Sequence, residues 1–246
     1  HTGNFDFADV KADGSDLRFV AGDDRTPLAF HIEKWAPAEQ QALVWVDVSN
    51  LKPGAASAIY AYYGNEKAEA GQNAAGTFGA DYKLVWHFDG AGAPQDATSN
   101  GLNGVGGEGR NTGGLIGQSL TLDGAAAVSV PTEAFAQGPV SVSFWVKPGS
   151  DGQLLALPGL ALTSEGATLF LDAAGQRSAG AALPAGTWAH VALVNDGQKS
   201  SLFVNGQPAG EVAGALASGP AVLGQGFTGE IDEFRVAGVA LPQAAF

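Results

Sequence analysis

The stretch Pro139-Val140-Ser141-Val142-Ser143-Phe144-Trp145-Val146-Lys147 alternates along its length. Positions 140, 142, 144 and 146 are apolar, whereas Ser141, Ser143 and Lys147 are polar. This period of two marks an extended strand with one buried face. Trp145 departs from the pattern and sets a large aromatic on the polar face. Related runs occur at Leu84–Phe88, Ser119–Leu122, Ala126–Val130, Ala167–Leu171, Thr187–Asn195, Ser200–Asn205 and Glu230–Val236. Gly, Pro, Asn and Asp punctuate them. Asn205-Gly206 is a two-residue hairpin signal, because both residues tolerate positive φ. Asp172-Ala173-Ala174-Gly175 and Asp196-Gly197 read as further turns. Helical periodicity is almost absent. Short strands separated by turns about every eight to twelve residues predict an all-β sandwich or jelly roll.

Composition supports this reading and excludes several functions. The 246 residues include 36 Gly and 44 Ala but no Cys and no Met. Without Cys there is no disulfide framework, thiolate metal site or Cys nucleophile. Acids outnumber bases 25 to 12, a net charge of −13, which opposes binding to a phosphate backbone. No apolar run reaches the roughly 18 residues of a membrane-spanning helix. The sequence starts at His1 rather than Met and is therefore expected to be a piece of a longer protein. Scarce Lys and abundant Gly, Ala, Ser and Asn lean toward an extracytoplasmic bacterial setting, whether periplasm, cell surface or secreted.

Residues 64–76 lack an apolar stripe and are rich in small polar residues. They are read as part of a linker. The expected division is a small, N-terminally incomplete β-sandwich over residues 1–64, a linker over 65–81 and a larger sandwich over 82–246. Strands are expected in the first unit around Leu17–Val20, Leu28–Ile32, Ala42–Val48 and Ser57–Tyr63.

Four stretches of the second unit carry a family resemblance. They are Leu84-Val85-Trp86-His87-Phe88-Asp89, Asp96-Ala97-Thr98-Ser99-Asn100-Gly101, Gly186-Thr187-Trp188-Ala189-His190-Val191 with Leu202-Phe203-Val204-Asn205-Gly206, and Phe227-Thr228-Gly229-Glu230-Ile231-Asp232. In this order they resemble the laminin-G-like, concanavalin A-like jelly rolls of bacterial surface proteins. The first unit resembles a short bacterial domain of uncharacterised function, through Asp13-Gly14-Ser15-Asp16-Leu17-Arg18-Phe19, Leu28-Ala29-Phe30-His31-Ile32-Glu33 and Ile59-Tyr60-Ala61-Tyr62-Tyr63. In that family an aromatic-rich strand usually comes earlier, so an open sheet edge is expected here. The tandem is similar to the extracytoplasmic part of MotA/TolQ/ExbB-type proton-channel proteins, and membrane attachment is implied only through segments outside this sequence.

The resemblance implies a structural Ca²⁺ with Asp89, Asp96, Asn100 and Asp232 as candidate ligands. Calcium needs several oxygens on loops that fold around it, and the family fold would bring the first and last strands side by side. The same residues also suit turn capping. Glu230-Ile231-Asp232-Glu233-Phe234 resembles the Glu-Ile-Asp-x-Glu signature of retaining glucanases, but Phe234 stands where the second carboxylate belongs. The histidines are scattered, and His87 and His190 read as packed strand residues. For sugar contact, Trp145 is the outward aromatic and Trp35 lies in a Pro-bounded loop; both are candidate ligand-binding residues. Trp86 and Trp188 read as core.

The expectation is therefore a non-enzymatic recognition or adhesion module binding a glycan or a protein surface. Under the resemblance it would be the sensor or load-coupling part of a proton-channel complex. The alternative is assembly through a strand donated by a partner, or as a homo-oligomer, at the open edge. A jelly-roll glycoside hydrolase is a distant third.

Overall fold

The computed structural model describes residues 5–48, 51, 54, 56–136 and 138–246; His1 lies outside them. The chain forms two compact units divided between Gly79 and Ala80. That point falls inside the stretch 65–81 read as a linker, so residues 65–79 belong to the first unit.

In the first unit, Pro27–Leu28, Arg18–Ala21 and Ile59–Tyr62 form one antiparallel sheet, and Phe30–Ala36 pairs with Gln41–Val46. Phe30, Leu17 and Val10 are buried, with Phe5, Phe7, Phe19 and Trp35 packed around them. The Asp16 carboxylate accepts the Lys11 and Gly64 backbone N–H groups and so ties the two ends of the unit together. Residues 65–79 are held by ordinary polar contacts. Lys11 Nζ donates to the Ala68 carbonyl at 2.5 Å, Arg18 Nη2 to the Glu69 carbonyl at 2.6 Å, and the Asn73 N–H to the Phe30 carbonyl at 2.8 Å. The lack of an apolar stripe hid this packing, because main-chain groups and the Gln72 side chain, which accepts the Ile32 N–H, make these attachments. Ile59–Tyr62 is an edge strand among the described residues, with Ile59, Tyr60 and Tyr62 exposed.

The second unit is a sandwich of two antiparallel sheets. One runs Gln207–Ala213, Lys199–Val204, Ala189–Asn195, Val140–Pro148, Thr228–Ala237, Ser119–Asp123 and Arg110–Asn111, with Tyr82–Trp86 also paired to Thr228–Ala237. The other runs Gln176–Arg177, Thr168–Ala173, Leu160–Glu165, Gly152–Leu157, Ala221–Leu223, Val128–Val130 and Val105–Gly106, with Ala181–Ala182 beside Thr168–Ala173. Val142, Phe144 and Val146 of the first sheet meet Leu155, Leu162, Leu169 and Leu171 of the second in a single buried core. The alternation of the opening stretch is thus the inner and outer face of a central strand. Asn205 and Gly206 both adopt positive φ (50° and 73°) in the hairpin between Lys199–Val204 and Gln207–Ala213.

The closing strand Thr228–Ala237 changes partner midway. Residues 228–231 pair with 120–123, whereas 234–237 pair with 82–86. Between the two, its register against Val140–Pro148 shifts, and Glu233 takes φ 52°. Such a bulge adds one residue and reverses the inside–outside phase beyond it. Phe234 is thereby turned into the core, 5.4 Å from Trp86 and 6.0 Å from Phe144 between ring centres. Truncating this fully buried ring leaves a cavity. Phe234→Ala is expected to cost about 3–5 kcal/mol of unfolding free energy in a guanidinium titration.

Candidate functional site

Outward-facing residues of the bulged sheet converge on a shelf. Trp145 of the central strand is half-buried, as its place in the alternation predicts, and its ring centre lies 5.1 Å from that of His190 on the neighbouring strand. His190 is followed by Phe246 at 6.2 Å, and Phe246 stacks at 5.8 Å on Phe203 of the next strand. The terminal segment is held there by Gln243 Nε2, which donates to the Gly206 carbonyl at 2.9 Å. Trp145, His190, Asn205, Gly206, Ala245 and Phe246 line an opening of about 350 Å³. Burial, reinforced by the positive charge of Arg235, holds the His190 pKa below its ordinary value. The shelf therefore favours a neutral imidazole.

Of the shelf residues, the sequence singles out only Trp145 as a candidate. His190 was read as a packed strand residue, and nothing local indicated that Phe246 or Asn205 would join it. The Asn205-Gly206 turn signal was the one usable clue, because it places the hairpin end beside His190. The Asn205 Oδ1 accepts the His190 N–H at 2.9 Å.

Trp35 lies in the strand Phe30–Ala36 rather than in a loop. Its ring packs on Phe7 at 5.0 Å and on Phe5 at 6.2 Å, and its indole N–H donates to the Ala12 carbonyl. The half-buried ring is packed within the first unit through these neighbours and its nitrogen. Trp188, read as core, is half-buried beside the Lys147 ammonium, 5.9 Å from its ring. Trp86 is fully buried and donates to the Leu102 carbonyl.

The four residues considered for calcium have separate duties. Asp96 accepts four hydrogen bonds: Oδ1 from the Val85 and Thr98 N–H groups, and Oδ2 from the Thr98 hydroxyl and the Leu102 N–H. The Asn100 amide donates to the carbonyls of Tyr82 and Lys83. Together they clamp the 96–103 loop along the first strand, covering its free side. Asp89 is exposed at the strand's end, where its charge acts on Arg110. Asp232 is fully buried, its Oδ2 accepting the Ile116 N–H and its Oδ1 the Glu233 N–H. Among the described residues, Asp89, Asp96 and Asp232 do not form a group with carboxylate oxygens within 4.8 Å of one another. A carboxylate with four protein donors has no lone pair left for a cation, so this set does not fit one calcium ion.

The acids of the closing strand are likewise engaged. Glu230 accepts from Lys147 at 2.9 Å, from Ser119 at 2.8 Å and from Asn111 at 2.8 Å. Burial opposes ionisation of Glu230, but these partners outweigh it and hold the carboxyl below its ordinary range. Glu233, brought to the outer side by the bulge, bonds to His87 Nδ1 at 2.7 Å and to Arg235. Burial again works against the charge, and His87 and Arg235 overcome it. Asp232 differs. Burial, with the nearby charge of Glu233, pushes it up to about 7 despite its two N–H partners.

The second unit thus defines a lectin-like class of β-sandwich, with a row of aromatic side chains on one outer face. Residues 122–245 match the model of the concanavalin A-like lectin/glucanases superfamily, and the chain belongs to that family. Residues 13–99 match a domain of unknown function (DUF2341). No curated protein matches the sequence. Among solved structures, one similar fold is domain 4 of AbnA, a GH43 extracellular arabinanase from Geobacillus stearothermophilus, in complex with arabinotriose. It is 20% identical with a TM-score of 0.52, over 67% of the present chain and 95% of that domain. The binding domain of botulinum neurotoxin DC in complex with SialylT is 11% identical with a TM-score of 0.51, over 67% of the present chain. The binding domain of paraclostridial mosquitocidal protein 1 is 14% identical with a TM-score of 0.53. The present chain spans about half of each toxin domain. At these identities the likeness establishes the fold.

The raised carboxyl of Asp232 gives a testable pH dependence. An unfolded Asp titrates near 4, so between about 4 and about 7 the native chain holds one more proton than the unfolded one. The group's contribution to stability is complete below the unfolded value and is lost as pH rises through the native one. In urea titrations, Asp232→Asn is expected to gain on the wild type as pH rises from about 4.5 to about 7.5. Parallel pH profiles would refute the assignment.

Proposed function

We propose that the second unit is a non-enzymatic glycan-recognition module working outside the cytoplasm, with the Trp145 shelf as its contact surface. The observation that carries this reading is the outward Trp145 beside His190 and Phe246, at the mouth of an opening about 350 Å³ in volume. A sugar ring presents an apolar C–H face that stacks on an aromatic plane, and its hydroxyls require a few fixed polar partners. The Asn205 side-chain amide supplies one at the rim. Two solved structures of the same fold are complexes with sugars, arabinotriose and N-acetylneuraminic acid. The extracytoplasmic assignment draws on composition and on the extracellular arabinanase neighbour; no helix among the described residues is long and apolar enough to cross a membrane.

Hydrolysis does not suit the closing strand. A retaining glycosidase needs two carboxyl groups about 5 Å apart, free to reach the sugar bond from either side. Here Glu230 is held by three donors, Asp232 is buried under the Ile116 backbone and Glu233 bridges His87 and Arg235. The coupling to a proton channel has only the sequence resemblance behind it and adds nothing to this reading. Assembly through an added strand draws on one observation, the strand Ile59–Tyr62 at the sheet edge among the described residues, with its exposed aromatics; it concerns the first unit alone.

On a glycan array, Trp145→Ala is expected to weaken the wild-type signals at least about tenfold, equivalent to about 1.4 kcal/mol of lost stacking. An unchanged array would place recognition elsewhere. The module is also proposed to work without resident calcium, so neither EDTA nor added Ca²⁺ is expected to move the melting temperature. An ion bound only to the native state would raise it, and a rise abolished by Asp96→Ala would restore the metal.

A further inference from the structure

We propose that the opening between Trp145 and Phe246 selects an uncharged sugar ring and discriminates against sialic and uronic acids. The proposal rests on the glycan reading of the same shelf and adds the chemical class of its ligand.

The lining of the opening carries the argument. Trp145 and Phe246 supply aromatic walls, the His190 ring lies between them, and Ala245, Gly206 and Asn205 complete the rim. None of the six is a lysine, an arginine or an acid. A bound carboxylate needs a charge-assisted partner, such as a guanidinium fork, an ammonium or several converging N–H groups. Two cations elsewhere on this face of the sheet are engaged. Arg235 bonds to Glu233, and Lys147 bonds to Glu230 at 2.9 Å. His190 is the only ionisable side chain in the lining, and burial together with Arg235 disfavours its charged form. A carboxylate seated on the shelf would meet no compensating charge from the lining. The net charge of −13 adds a long-range repulsion.

A neutral ring meets the opposite conditions. Its C–H faces find two apolar walls, and its hydroxyls find the Asn205 amide. Asn205 Oδ1 accepts the His190 N–H, which fixes the amide plane and leaves the amide nitrogen as donor at the rim. The second wall is fixed too. Gln243 Nε2 bonds to the Gly206 carbonyl, and the Phe246 N–H bonds to the Gln243 carbonyl at 3.1 Å.

The test is an array of neutral, sialylated and uronate oligosaccharides, followed by calorimetric titration of the whole chain with arabinotriose, sialyllactose and trigalacturonate. The expected result is binding to neutral members, at least tenfold weaker binding to acidic ones, and loss of the neutral signal in both Trp145→Ala and Phe246→Ala. Ala245→Lys, an exposed position at the rim, is expected to bring sialyllactose at least tenfold closer to the neutral probes. If acidic members bind as tightly as neutral ones, and still depend on Trp145, the charge selection is overturned and the glycan site stands. If no oligosaccharide binds, or binding ignores both aromatic variants, the glycan reading falls and this inference with it. Unchanged melting temperatures for the three variants confirm that each result reports the site.

Discussion

The second unit is organised around one irregularity, the bulge at Glu233 in the closing strand. A strand that kept perfect alternation would have placed Phe234 on the same outer face as Glu230 and Asp232. The left-handed residue at 233 reverses the phase instead. Phe234 then fills the space between Trp86 and Phe144. The same step lets the strand leave Ser119–Asp123 and take up Tyr82–Trp86, so one strand joins both halves of its sheet. A positive φ at a non-glycine residue is unfavourable in isolation; here the buried ring and the new pairing hold it in place.

The polar groups around the bulge follow from that geometry. Asp232 stays on the outer side under the Ile116 backbone, while Glu233 reaches His87 and Arg235. Glu230 and Glu233 are each matched to donors that outweigh burial, the condition for placing charge in a poorly hydrated position. The N–H partners of Asp232 do not offset its burial. Engaged acids make a rigid scaffold and poor reagents. The outer face is accordingly divided into a polar, internally satisfied region along the closing strand and an aromatic region built from Trp145, His190, Phe203 and Phe246. The opening lies in the second.

Much of the sandwich was readable from alternation, because period two depends only on which face of a strand is buried. The run 140–147 and the Asn205-Gly206 turn both lie where the sequence predicts. The loop 96–103 was recognisable as polar, but its role was not. Asp96 suits a cation and a set of backbone N–H groups equally well, and the choice depends on Val85 and Leu102 reaching it in three dimensions. Trp35 looked free because Pro37 follows it. Its actual partners, Phe5, Phe7 and the Ala12 carbonyl, are distant along the chain. Residues 65–79 looked like a connector because much of their attachment uses main-chain groups, which leave no compositional trace.

The opening alternation, the turn residues, the acidic balance and the absence of Cys determined an all-β, thiol-free, anionic protein with an aromatic at position 145 facing outward. These are local or additive properties, and each can be read without knowing any partner. The tertiary structure alone decided that Asp96 clamps a loop, that Glu233 starts a bulge, and that His190, Asn205 and Phe246 join Trp145. Those outcomes depend on strand pairing and on hydrogen bonds between groups far apart in the chain. No periodicity records such pairings, because their cost and their compensation appear only when the strands close into one sheet.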